Sequence, residues 1–359
     1  MITESIKNLI EQEIANGFIS KVKHPSADLF ILNYTPKCTY NGHWNSITMT
    51  CRGLIVDSDY TIISRPFEKF FNINEVEETY EHRLPLELPK LYEKLDGSLG
   101  ISYRLDGQLY IATRGRFDSK PAIIANQFLN KYDRSLFNPN WTYLFEIICK
   151  ENDFNIVSYH FEDLILLAVR DTQSGTYLDY VSEAKRIGLK YAKHYSMQSI
   201  TKLIEFLKRQ KATDFEGFVL HYQEADLRIK IKNPNYLKIA QIFNNLSDEN
   251  IQSFIIDCLA NNTLDDLKSL LSNDLPFLTK IISFENLFTK KFYNLLLEIN
   301  CIYELELNKL ATRKEQAELI LSKYGSIKGL LFLRLDLKME KLTAGIWNYI
   351  KETSKGDIK

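Results

Sequence analysis

The chain has 359 residues, with 45 Lys+Arg against 46 Asp+Glu and a net charge of -1. That length supports a large core and a division into two domains, while near-neutrality excludes a surface that attracts polyanions as a whole, so any nucleic-acid contact must be a local patch. Five scattered cysteines, Cys38, Cys51, Cys149, Cys258 and Cys301, lack zinc or close-pair spacing and predict buried thiols in a reducing compartment.

Residues 3 to 16 carry apolar positions at helical spacing and predict a leading helix. Short β-rich runs follow at 29 to 32, 53 to 56, 61 to 63, 99 to 103, 109 to 113, 141 to 145 and 164 to 169. Asp106-Gly107 between alternating runs predicts a hairpin, and Ser174-Gly175 a turn. Helical stretches are expected at 119 to 132 and 180 to 208. Beyond Pro234 the alternation stops, and 247 to 260, 263 to 272, 284 to 310, 313 to 323 and 338 to 352 read as amphipathic helices, with Pro276 and the 325 to 329 segment as breaks. The expectation is an α+β domain with antiparallel sheets over 1 to 240, then an all-helical domain over 241 to 359. No run is long and apolar enough to span a bilayer, and the start at Met1 does not read as a signal peptide, which predicts a cytoplasmic protein.

The chemistry concentrates in Lys94-Leu95-Asp96-Gly97-Ser98, with Glu216-Gly217-Phe218 and Lys230-Ile231-Lys232 returning later. A lysine amine attacks only when neutral. Lys230 and Lys232 share one face of a strand, so both amines can enter one cleft, disfavour the charge of Lys94 and bind phosphate. Attack on the α-phosphorus of ATP would give a lysyl-AMP and pyrophosphate, with Glu216 a candidate ligand for magnesium and Glu146 an acceptor for a ribose hydroxyl. Taken alone, each piece has a plainer reading: a KxDG turn is more often a solvated hairpin, and Lys230/Lys232 the charged face of an edge strand. Their conjunction in a fixed order favours catalysis.

That order resembles the covalent nucleotidyltransferase superfamily of ligases and capping enzymes. Lys94 to Ser98 match its first motif, Phe145-Glu146 its third, Glu216 to Val219 its fourth, and Lys230 to Lys232 its fifth. Within the superfamily, Cys51 to Leu54 and Arg65 to Asn72 resemble upstream elements of the RNA ligase 1 family of large tailed bacteriophages. The resemblance implies a nucleotidyltransferase, ATP-grasp-like ligase domain followed by a helical domain that is a possible RNA-specificity module. Lys94 would be the adenylylated nucleophile. Lys230, Lys232 and Glu216 would share the catalysis, and Arg52, Lys69, Asp96, Gly97, Ser98 and Glu146 would help hold the nucleotide. It also implies ATP and Mg2+, with Mn2+ as a substitute, and joining of 5′-phosphate and 3′-hydroxyl ends of single-stranded RNA or a broken tRNA. A separate polynucleotide kinase would heal those ends, and a monomer acting in an infected cell is expected.

Two departures stand out. The family's asparagine-arginine pair after the third motif is replaced within 149 to 157, where Phe154 and Asn155 supply no guanidinium. A family lysine is Arg114 here, beside Arg116, and both are candidate ligands for a substrate phosphate. RNA would meet Arg52, Lys69, Arg114, Arg116 and the lysines from 230 to 238, with Tyr92 or Phe70 for stacking. A DNA ligase or capping enzyme would be expected to carry a β-rich domain after the fifth motif, which the helical pattern opposes. A non-catalytic RNA-end-binding protein is the other alternative. The chain has no GxxxxGK[ST] run, and its six dispersed histidines do not suit a zinc nuclease.

Overall fold

The computed structural model describes residues 2–149, 156–196, 199–245, 251–265, 268 and 276–354. The altered 150 to 155 segment, and most of the helix expected at 263 to 272, lie outside them. The chain divides into two compact units, residues 1–237 and 238–359.

Among the described residues, fifteen strands run through the first unit: β1 (Ile19–Lys23), β2 (Leu29–Tyr34), β3 (Arg52–Asp57), β4 (Ile62–Ser64), β5 (Phe71–Asn72), β6 (Lys90–Lys94), β7 (Ser98–Leu105), β8 (Gln108–Thr113), β9 (Trp141–Ile148), β10 (Asp163–Asp171), β11 (Tyr177–Leu178), β12 (Lys190–Tyr191), β13 (His194–Tyr195), β14 (Gly217–Tyr222) and β15 (Leu227–Lys232). They form a four-stranded sheet in the order β1-β2-β3-β4, a six-stranded sheet β11-β10-β9-β7-β8 with β12 against β10, and a five-stranded sheet β13-β6-β14-β15-β5. All pairings are antiparallel except β10 with β12 and β15 with β5.

Alternation along β15 explains how the third sheet serves a site. Ile229 and Ile231 are buried with Leu91, Leu220, Leu203 and Leu207 beneath the helix Ile200–Lys208. Because successive side chains point to opposite faces, Arg228, Lys230 and Lys232 line a cavity on the other face. The second sheet packs one way on the first through Ile31, Ile55, Ile101 and Leu144. Ile111, Phe145, Ile147 and Leu164 meet Ala125 of the helix Lys120–Phe128 and Ala184 of the helix Tyr180–Ile187 in a separate core.

The expected single helical stretch at 180 to 208 is two helices with β12 and β13 between them. Gly188, at φ +84°, supplies the left-handed residue that ends the first. In the second unit the helix Pro276–Leu305 starts at the proline expected to act as a break, because the first turn of a helix tolerates a missing N–H. That helix is joined by Ile251–Ala260, Arg313–Lys323, Lys328–Leu335 and Met339–Thr353. Trp347 stacks on Phe292 at 4.6 Å, and Lys351 pairs with Asp257 at 2.6 Å. No helix among the described residues is long and apolar enough to cross a membrane. Of the five thiols, four are buried as expected and Cys301 is exposed.

Candidate active site

The turn Leu95-Asp96-Gly97 carries the chain from the last residue of β6 in one sheet to the first of β7 in another. Its glycine is required by proximity: a Cβ on Gly97 would lie 2.6 Å from the Ile147 carbonyl oxygen and 3.0 Å from Glu146 Cγ. Lys94 thus ends one sheet while Glu146, on β9 of the neighbouring sheet, approaches the same turn. Glu146 lies inside a strand that runs to Ile148, rather than at the end of one.

Register on the third sheet sets the floor of the site. Gly217 on the central strand β14 pairs with Lys94 on one side and Lys232 on the other. The next row is Tyr92, Val219 and Lys230, and the third is Lys90, His221 and Arg228. Gly217, at φ +153°, keeps the first row open, since a Cβ there would lie 2.2 Å from the Ile231 carbonyl oxygen. Gly217→Ala is expected to cost about 3 kcal/mol or more of stability; urea unfolding should show a lowered midpoint.

Glu216, immediately before that glycine and only 3% exposed, bridges two amines. Its Oε2 accepts from Lys94 Nζ at 2.7 Å and its Oε1 meets Lys232 Nζ at 2.9 Å. The fully buried Asn233 fixes this arrangement: its backbone N–H donates to the Glu216 carbonyl at 2.7 Å and its side-chain amide donates to the Phe215 carbonyl at 3.0 Å. The sequence reading missed Asn233, although an Asn before Pro234 at a helix start was a legible capping signal.

Burial disfavours the charge on Lys94, but Glu216, Glu146 and Asp96 outweigh it and hold the amine above the ordinary lysine range. This corrects the expectation that neighbouring cations keep Lys94 neutral: its nearest partner is a carboxylate. The lysine that is driven toward neutrality is Lys230, lowered to about 7 by burial and then by Lys69, Arg52 and Lys94. Glu146 is raised to about 8, chiefly by burial, with Glu216 and Asp96 adding repulsion against the opposing pull of Lys94.

A cavity of about 860 Å³ opens over this floor. Among the residues expected to act there, Arg52, Lys94, Gly97, Ser98, Arg114, Glu146, Lys230 and Lys232 line it, as do Tyr92 and Phe70. Lys69 stands behind the wall, with its ammonium 4.0 Å from the centre of the Phe71 ring and 4.9 Å from that of Trp44. Arg114 donates to Tyr34 Oη at 2.8 Å.

Asp96 does not line the cavity. Its Oδ2 accepts from the Ile156 and Val157 backbone N–H groups at 2.7 and 2.9 Å, and its Oδ1 from Tyr236 Oη at 2.9 Å. It therefore anchors the turn rather than facing a nucleotide. Arg116 is also placed elsewhere, two-thirds exposed and paired with Asp118 at 2.9 Å, because the tight turn after β8 points it away. Tyr177, Tyr180, His194 and Arg228 line the cavity without having been singled out; none sits in a recognisable motif, and only the sheet pairing gathers them.

No group of three or more His, Cys, Asp or Glu among the described residues forms a ready metal cage. The donor set nevertheless fits magnesium, which takes one or two carboxylates and completes its shell with phosphate oxygens and water. Glu146 lines the cavity, and burial, joined by repulsion from Glu216, disfavours its charge, a penalty that a cation would relieve.

A lysine poised between carboxylates at the junction of two largely antiparallel sheets is the arrangement of a nucleotidyltransferase of the RNA/DNA ligase type. The family model described as RNA ligase matches residues 50–236, and the chain belongs to that family. A candidate RNA ligase of Thermovibrio ammonificans is 30% identical over 229 residues, 59% of this chain and 58% of that protein. A candidate bifunctional polynucleotide kinase/RNA ligase of Autographa californica nuclear polyhedrosis virus is 28% identical over 313 residues, 80% of this chain and 43% of that one. This chain therefore spans only about half the length of those two relatives. An RNA ligase of Rhodothermus phage RM378 is 26% identical over 335 residues, 73% of this chain and 74% of the relative.

Proposed function

We propose that this protein is an ATP-dependent RNA ligase that joins a 5′-phosphate to a 3′-hydroxyl through a lysyl-AMP intermediate. The observation that carries the reading is the bridge from Lys94 Nζ to Glu216 at 2.7 Å and on to Lys232 at 2.9 Å, in which the buried Glu216 holds two lysines that line a cation-rich cavity. Lys94, once deprotonated, attacks the α-phosphorus of ATP; an N–P bond forms and the bond to the leaving pyrophosphate breaks. The 5′-phosphate oxygen of RNA then attacks the same phosphorus, AMP moves to the RNA end, and the lysine is released. Finally the 3′-hydroxyl attacks the RNA 5′-phosphorus, forms the phosphodiester and expels AMP.

Lys232, paired with Glu216 in the free protein, would follow charge to the α-phosphate as it becomes more negative. Lys230, Arg52, Lys69 and Arg114 supply the field for the remaining phosphates, and Glu146 is suited to a ribose hydroxyl. Arg116, on the exposed turn, would contact an RNA end only from outside the cavity. Glu216 would hold a magnesium or manganese ion, which supplies Lewis-acid stabilisation of phosphate charge. Residues 1–240 would carry the adenylyl transfer, and the helical residues 241–359 would select the RNA. Repair of a broken tRNA during phage infection, after a separate polynucleotide kinase has prepared the ends, fits this chemistry, with the enzyme acting as a cytoplasmic monomer.

The test incubates purified protein with magnesium and α-labelled ATP or GTP, then follows an acid-labile protein adduct and closure of a 5′-phosphorylated single-stranded RNA. An adduct from ATP together with closure is the expected result. An adduct without any joining would point to another acceptor, and neither product would favour a non-catalytic RNA-end-binding protein. Lys232→Ala is expected to slow adduct formation about 100-fold, and Glu216→Ala to change its metal dependence as well. Unchanged rates in both variants would remove these two residues from the mechanism.

A further inference from the structure

The third cross-strand row, Lys90, His221 and Arg228, lines the same cavity but takes no part in the chemistry proposed at the first row. Four residues of extended chain separate the rows, about 13 Å at ~3.3 Å per residue. The groups of the third row are set in a fixed order. Arg228 lies with its guanidinium carbon 3.9 Å from the centre of the Tyr177 ring and 5.8 Å from that of Phe67, while Phe67 and Tyr177 are themselves stacked. One edge of the guanidinium donates to Asp226 Oδ1 at 3.0 Å, and Nη2 meets His221 Nδ1 at 3.5 Å. His221 Nε2 meets the same Asp226 oxygen at 3.3 Å.

These contacts determine what the row can offer a ligand. Both ring nitrogens of His221 are engaged by Arg228 and Asp226, so the imidazole acts as a spacer. An arginine carries five N–H donors and no acceptor, and a lysine three donors and no acceptor. Lys90 is exposed, and the Arg228 side chain is 13% exposed. Asp226 cancels one of the two positive charges, leaving a net charge of about +1 and a surplus of donors. Such a row suits an anion with several acceptor oxygens. A base edge, which mixes donors with acceptors, is a poorer match.

We infer that this row is a second phosphate-binding station, which holds a backbone phosphate of the RNA end being joined. The reading rests on the proposed ligase activity. Arg52, Lys69 and Lys230 lie close enough together for the first two to add to burial in lowering the proton affinity of the third, and in the proposed mechanism they serve the nucleotide phosphates. The third row lies farther along the same strands, where a strand entering the cavity would place a phosphate away from the one that reacts. Stacking on Tyr177 fixes the guanidinium plane, so little side-chain freedom is lost when the phosphate arrives.

The experiment compares wild type, Lys90→Ala and Arg228→Gln in two measurements: fluorescence anisotropy of a 5′-phosphorylated single-stranded RNA over a salt series, and the rate and ATP KM of protein-adduct formation without RNA. Each substitution is expected to weaken RNA binding about tenfold at low salt and to reduce the salt slope by about one, while the adduct rate and ATP KM stay within about twofold of wild type. Unaltered RNA affinity and slope in Lys90→Ala, whose exposed side chain leaves the fold intact, would overturn the inference. A raised ATP KM with unchanged RNA binding would overturn it too, by assigning the row to the nucleotide. If wild type forms no adduct, the ligase reading fails, and the binding measurement still decides whether the row holds RNA phosphate.

Discussion

Lys94→Ala is expected to abolish the protein–AMP adduct and RNA sealing together, a loss of roughly 10⁴-fold or more. The substitution removes the only atom that bonds to phosphorus in the proposed first step. It should leave the protein folded, because Glu216 keeps Lys232 at 2.9 Å and so is not stranded as a buried, unpaired charge. Lys94→Arg should not rescue, since a guanidinium does not deprotonate in this environment. Given an RNA whose 5′ end already carries AMP, Lys94→Ala should recover part of the sealing, because that last step needs no lysine nucleophile. Sealing from ATP by a folded Lys94→Ala protein would demand a different mechanism.

The same bridge predicts a pH profile. Although burial opposes its charge, Lys94 is held above the ordinary lysine range by Glu216, Glu146 and Asp96, so adduct formation should rise with pH as the amine loses its proton. Glu216→Gln removes the strongest source of that upward pull. Its profile, measured in single-turnover adduct formation, should move to lower pH even as the maximal rate falls.

The second large effect is a stability minimum near pH 7 to 8 in the ligand-free protein. Lys230 is lowered by burial and neighbouring cations to about 7, so between about 7 and the ordinary 10.5 the unfolded chain binds a proton that the folded one lacks. Stability therefore rises with pH through that window and carries the full penalty below it. Glu146 is raised by burial to about 8, so between the ordinary 4.5 and about 8 the folded chain keeps a proton that the unfolded one has lost. Stability falls as pH rises through that range.

Each effect is worth on the order of 5 kcal/mol at its plateau, and their overlap sets the minimum. Urea unfolding from pH 5 to 10 should show Lys230→Met raising stability at pH 6 and flattening the alkaline limb, and Glu146→Gln flattening the acid limb. Wild-type pH slopes in both variants would assign the pH dependence to other groups. The part of ATP's stabilisation that Lys230 supplies should fall as pH rises through about 7, because anionic phosphates bind the charged form of that lysine.

Much of the first unit was legible because local signals and global fold agree. Asp106-Gly107 makes the β7–β8 hairpin with both residues at positive φ, 50° and 78°, as expected of such a turn. The apolar-charged alternation of 227 to 232 placed Lys230 and Lys232 on one face. Other elements gave no local signal. The two-residue strands β12 and β13 are too short to show a period, so 180 to 208 read as one helical stretch until Gly188 and the sheet edge divided it. Asp96 and Arg116 could not be separated from true cavity residues by sequence. Only the packed chain sends one to Tyr236 and the other to Asp118.

The linear order of residues determined the chemical inventory of this protein: a lysine in a KxDG turn, glutamates and lysines on later strands, and a change of periodicity after Pro234. These are local or periodic properties, written in the chain before it folds. Tertiary structure decided how the inventory acts. Antiparallel register set Lys94 and Lys232 on either side of Gly217, burial gave Glu216 both amines, and crowding of cations pushed Lys230 toward neutrality. Charge state depends on distance and solvent exclusion between groups more than a hundred residues apart, and only the folded chain fixes those quantities.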